Sequence, residues 1–187
     1  IIQNYKKKHT QLKTVFHPKN LGIGEALISG YINASMDNIC AIPGDGQFDL
    51  NELIPYKSFP EKSVLSFYRK ENTTYSIFRN VLSKFNKLWN QHLNSIYLQD
   101  VNWVKAYKKV ELNKLNFDIR SSLVESEICA KLYILSNNFI QVESKYLVRE
   151  HGVSKGSNLF IVTQAIRDMI KLVIVITKFK KGLSKLK

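Results

Sequence analysis

Cysteine is scarce in this chain: its 187 residues hold two, Cys40 and Cys129, both in apolar-rich segments and without a Cys-x-x-Cys or Cys/His metal-ligand spacing. A disulfide framework and a zinc module are therefore excluded as the organising device, and both thiols read as reduced core residues of a protein facing the cytosol. The four histidines, His9, His17, His92 and His151, are scattered, which supports neither a His-based triad nor a zinc site. Acidic residues are few, fifteen against twenty-eight Lys and Arg. No internal repeat or low-complexity linker divides the chain. Long apolar runs are missing too: the longest near the end, 169–176, is broken by Lys171 and preceded by Arg167-Asp168, too short and too charged to span a bilayer. No secretory signal pattern is visible, which in a chain opening on Ile1 says little about compartment.

What is present is enough apolar material for a folded core, 44% hydrophobic residues at a mean hydropathy of −0.18. A formal net charge of +13 calls for an anionic partner: nucleic acid, an anionic membrane surface or an anionic substrate. The lysines are spread over 6–8, 108–109 and 178–187, and there is no RNP-like aromatic pattern, zinc-finger spacing or recognition helix. Nucleic acid therefore takes second place. A genomic bias towards lysine and asparagine is the alternative explanation for much of the excess. From Leu159 onward apolar faces alternate with Arg167, Lys171, Lys178, Lys180, Lys181, Lys185 and Lys187. That is the composition of an interfacial helix with a basic tail, and equally of a terminal helix docked on its own domain with a solvated lysine edge.

Periodicity predicts helix over 1–9, strand over 11–16, helix over 25–34, strand over 38–42 and a short helix near 51–54. It continues with strand over 63–69, a long helix over 74–94, strand near 104–107, helix over 122–136, strand over 139–148 and the tail helix. Strands alternating with helices argue an α/β sheet with helices on both faces, residues 1–158 forming one domain and 159–187 an amphipathic basic helix and tail.

Two short motifs carry the chemistry. Asn20-Leu21-Gly22-Ile23-Gly24 brings two glycines into the start of a helix, where a polyphosphate can approach the backbone. Pro43-Gly44-Asp45-Gly46-Gln47-Phe48-Asp49 follows an apolar strand and sets a carboxylate and an amide two residues apart, oxygen ligands suited to a hard cation. Taken singly, the first is a tight turn and the second a surface turn. Their order, glycine loop, helix, strand, acidic turn, is that of a βαβ unit with both loops at one sheet edge.

This order resembles the family 2 glycosyltransferases, in particular the dolichyl-phosphate mannose synthase-like branch. Asn20, Gly22, Gly24, Ala26 and Gly30-Tyr31 are similar to its Asn-x-Gly-x-Gly-x-Ala…Gly-Tyr stretch, and Asp45, Gln47 and Asp49 to the latter part of its Asp-x-Asp-x-Gln-x-Asp metal turn. Pro43 departs, standing where the first Asp of Asp-x-Asp would be. Further down, Arg69, the Arg79 and Ser83 pair, the acidic turn at Asp100, Glu127 at a helix start, and Arg149, Gly152, Ser154 and Lys155 resemble successive family positions.

The resemblance implies a GT-A-type nucleotide-sugar-binding sheet that lacks its first strands, since nothing corresponds to the family's opening strand, helix and acidic second strand. It implies a hexosyltransferase moving sugar from a nucleotide diphosphate-sugar to a polyprenyl phosphate or another acceptor, at the cytoplasmic face of a membrane. Asp45 and Gln47 would hold Mg²⁺ or Mn²⁺; Asn20, Gly22, Gly24, Arg69, Arg79, Ser83, Arg149, Ser154 and Lys155 would contact donor or phosphate. Asp45 would act in catalysis through the metal, and Asp100 or Glu127 would be the general base if the acceptor were a hydroxyl. The alternatives are transfer to a saccharide chain in cell-envelope polysaccharide synthesis, an inactive fragment, and a basic nucleic-acid binder.

Overall fold

The computed structural model describes residues 2–69, 97–148 and 159–185. Helix α1 (Ile2–Lys8) is followed by an irregular stretch, then α2 (Ile23–Asn33), strand β1 (Asn38–Ala41) and a 3-10 helix (Leu50–Tyr56). Next come β2 (Ser63–Arg69), β3 (Lys105–Lys108), a single turn α3 (Lys109–Leu112), α4 (Val124–Ile134), β4 (Asn138–Ser144) and the long α5 (Leu159–Ser184). The long helix expected over 74–94 lies outside the described residues.

Among the described residues four strands form one open mixed sheet in the order β1-β3-β2-β4. β3 runs antiparallel to both neighbours, and β2 pairs with β4 in parallel. Registration aligns Ile39, Tyr107, Val64 and Phe139 in one row across the sheet, and Cys40, Ala106, Leu65 and Ile140 in the next. Because successive side chains point to opposite faces, the first row looks towards the helices and the second away. On the helical side Ile28 and Tyr31 of α2 and Val124, Ile128 and Leu132 of α4 close over Ile39, Val64 and Tyr107. On the other side Phe48, Phe59, Phe67 and Trp103 pack over Leu65 and Ala106, with Leu53 and Tyr56 of the 3-10 helix against them. That face is thus covered by aromatic loops and a 3-10 helix among the described residues. In α4 every residue from Val124 to Leu132 is buried, because α5 lays Met169, Leu172 and Ile176 against its outer side.

Two expectations are corrected. Residues 11–16 form no strand; all but the half-buried Thr14 are exposed and they pair with none of the described strands, so the apolar Leu12, Val15 and Phe16 have no sheet to join. β4 ends at Ser144 rather than at 148, where the parallel pairing with Arg69 of β2 ends.

Candidate functional site

Antiparallel β3 has a geometric consequence. β1 and β2 end at the same sheet edge, and β3 begins there, so the turns 42–47 and 98–104 and the residues after β4 meet at one rim. Helix α2 enters β1 through a short connection and so runs back against it, which brings its first turn to this rim. A cavity of about 620 Å³ opens between them. Ile23, Ala26 and Gly30 of α2 form one wall, Pro43, Asp45 and Gln47 another, and Arg69, Asn102 and Trp103 a third; Lys105 and Glu125 line it as well.

Each polar group on the rim is held from behind. The Asp45 carboxylate accepts from the backbone N–H of Gln47 at 3.3 Å, which closes the turn on itself. Gln47 is buried; its side-chain amide donates to the Tyr146 hydroxyl at 2.6 Å, and its carbonyl accepts from Leu147 N–H at 3.1 Å. Of the two side-chain amide atoms, the carbonyl oxygen is the one with the chemistry of a cation ligand. Arg69 donates through Nε to Asp100 at 2.6 Å, and its guanidinium lies over the rings of Trp103 at 4.6 Å and Tyr146 at 5.4 Å. Asp100 in turn accepts from Asn102 N–H at 3.1 Å. The guanidinium is therefore oriented by one carboxylate and two aromatic faces.

Deeper in the cavity, both carboxylate oxygens of Glu125 accept from phenols, Oε1 from Tyr31 and Oε2 from Tyr107. Burial first, then the neighbouring carboxylate, pushes the Tyr31 hydroxyl well above its ordinary pKa. Burial raises Tyr107 too. These phenols stay protonated and act only as donors at any physiological pH. Lys105 donates to the carbonyls of Val101 and Trp103, the second at 3.0 Å, fixing the lead-in to β3. Cys40 on the cavity wall and Cys129 behind it are both pushed up by burial to about 12, which keeps them as thiols.

The expected site residues fall into four groups. Asp45, Gln47 and Arg69 line the cavity together, with Asp100 bonded to Arg69. Asn20, Gly22 and Gly24 lie at the entrance to α2 and do other work there. The Asn20 side chain accepts from Gly22 N–H at 2.9 Å, and Gly22 sits at φ +88. Gly24 is packed against main chain: a Cβ there would lie 2.3 Å from the Arg120 carbonyl oxygen. Glu127 is not at the cavity. Its fully buried carboxylate accepts from Asp118 N–H at 2.9 Å, Ile119 N–H at 2.8 Å and Lys131 Nζ at 2.6 Å, so it clamps the loop before α4 with no proton acceptor facing a ligand. Arg79, Ser83, Arg149, Ser154 and Lys155 lie outside the described residues.

The motifs passed over Glu125, Lys105, Trp103 and Tyr146. Glu125 stands two residues before Glu127 on the same helix, and only the direction of α4 tells which one faces the hollow.

Among the described residues no group of three or more His, Cys, Asp and Glu side chains is placed to hold a metal ion. The oxygen donors of Asp45 and Gln47 suit Mg²⁺ or Mn²⁺ in kind but fall short in number, so an ion there would need ligand oxygens and water to complete six-fold coordination. No family model and no curated protein matches the chain.

Proposed function

We propose that this cavity binds the diphosphate of a nucleotide-sugar and that the protein is a metal-assisted glycosyltransferase of the GT-A type. The observation that carries the reading is the convergence of Asp45, Gln47 and Arg69 on one hollow beside the first turn of α2. A ligand crevice at the carboxyl ends of parallel strands is where open α/β sheets bind nucleotides. A bound divalent ion would neutralise charge on the departing diphosphate. Arg69, braced by Asp100, would contact a phosphate oxygen, and Glu125 would accept from a sugar hydroxyl.

The acceptor that fits best is an anion such as a polyprenyl phosphate. Asp100 is ion-paired at 2.6 Å and Glu127 is sealed in its own clamp, which leaves neither proposed base serving a hydroxyl acceptor. A phosphate oxygen needs no base. It attacks the anomeric carbon, the carbon–oxygen bond to the donor diphosphate breaks, and the nucleoside diphosphate leaves with the electron pair, with inversion at carbon. Calorimetric titration with GDP and with UDP, with and without Mn²⁺, tests the donor half. Metal-dependent binding of one of them, lost in Asp45→Asn, is expected. No nucleoside diphosphate binding with or without metal, or equal binding by Asp45→Asn, refutes the reading.

A further inference from the structure

Helix α5 keeps an outward ridge that its packing on α4 does not use. Met169, Leu172 and Ile176 point inward. On the opposite side Arg167, Ile170, Ile174, Lys178, Lys181 and Lys185 follow one another at steps of three or four residues, so they form a single line along the helix, and all six are exposed. Ile170 is 57% and Ile174 50% exposed. Lys171 sits beside this ridge with its ammonium bound to the Asp118 carbonyl at 2.7 Å. Asp168 is the single acid in the helix sequence.

We infer that this ridge docks the protein on an anionic lipid bilayer, the helix lying in the plane of the interface. Its 26 residues run about 39 Å at 1.5 Å per residue, long enough to lie across many headgroups. No described helix is long and apolar enough to cross a membrane, so contact through this face is peripheral. The chemistry matches on two counts. Two adjacent isoleucines can enter the acyl boundary while the cations on the same line meet lipid phosphates, and the net charge of +13 favours approach to a negative surface. A nucleic acid would use the cations but would leave Ile170 and Ile174 in water; a second copy of this chain would set like charges against each other. The inference is independent of the proposed transfer reaction and can fail or stand without it.

The test is co-sedimentation of the full chain with phosphatidylcholine vesicles, with and without phosphatidylglycerol, at low and high salt. Binding to the anionic vesicles alone, released by salt, is expected. Lys178→Gln, Lys181→Gln and Lys185→Gln together should weaken it about 100-fold, at about fivefold per charge. Ile170→Ser with Ile174→Ser should weaken it by about tenfold or more. Since all five side chains are exposed, circular dichroism and thermal unfolding should match the parent. Equal binding to neutral vesicles, no binding at low salt, or parental binding by both variants overturns the inference. So does competition by a single-stranded oligonucleotide whose own affinity falls in the triple variant, or an isoleucine variant that turns a dimer into a monomer in light scattering.

Discussion

The two glycines entering α2 look alike in sequence and should respond differently to alanine. A Cβ on Gly24 would lie 2.3 Å from the Arg120 oxygen and 2.4 Å from the Ser121 oxygen. Ordinary contact begins more than 1 Å further out, and the obstructing atoms are main chain, so α2 or the 119–121 segment has to move. Overpacking of this kind costs about 1–3 kcal/mol, here at the upper end, while alanine recovers about 0.8–1 kcal/mol of helix propensity. The net loss is about 2 kcal/mol, or about 4–8 °C in Tm for a domain of this size. At Gly22 nothing lies within 4 Å, but φ is +88 with ψ 172, a region open almost only to glycine, so alanine there costs about 1–3 kcal/mol through backbone strain alone. The separating measurement is thermal unfolding alongside nucleoside diphosphate titration. Gly24→Ala should lose stability while the fraction still folded keeps its diphosphate affinity. Unchanged Tm with lost affinity would refute the reasoning and return Gly24 to the role of a phosphate-approach glycine.

Three further outcomes follow from the same contacts. Glu127→Gln leaves the buried Lys131 ammonium facing an amide and should destabilise the fold by about 3 kcal/mol in urea unfolding, with Asp118→Asn far milder because that carboxylate is half exposed. The hydrogen bond from Lys131 holds Asp118 below the usual carboxylate range; its stabilising share is therefore complete above about pH 4 and lost as pH falls through the lowered value. Asp118→Asn should flatten that part of the acid unfolding profile. Cys40 and Cys129, both raised to about 12, should resist a disulfide reagent at neutral pH in the native state and react as two thiols in denaturant.

Much of the sheet was legible because its strands are short apolar runs with turn residues at each end. Ser63–Arg69 falls where its run of apolar and aromatic residues puts it, and Asn38–Ala41 ends one residue before the expected strand end. The stretch 11–16 has an equally strand-like pattern and fails, since pairing is supplied by a neighbour and the sequence names none. Of the site, the Asp45 and Gln47 turn was visible from spacing. Glu125 was not, because two glutamates two residues apart at the start of a helix differ only in azimuth, and azimuth is set by what α4 packs on.

The position of Arg69 depends on a feature that alternation of strands and helices conceals. A purely parallel order would bring β3 into the sheet from the far edge and leave Asp100 and Trp103 a strand's length from Arg69. Because β3 is antiparallel and sits between β1 and β2, its lead-in arrives where its neighbours end. One reversed strand thereby supplies the carboxylate that orients the guanidinium, the indole beneath it, and, through Lys105, the anchor for the loop carrying both. The aromatic support continues through Ser144 at the end of β4, whose hydroxyl accepts from the Trp103 indole at 3.2 Å, to Tyr146, which receives the Gln47 amide. The acidic turn after β1 and the arginine at the end of β2 are thus linked through aromatic groups flanking two other strands, Trp103 just before β3 and Tyr146 just after β4. A change at Trp103 should therefore disturb both sides of the cavity together, although Trp103 belongs to neither motif.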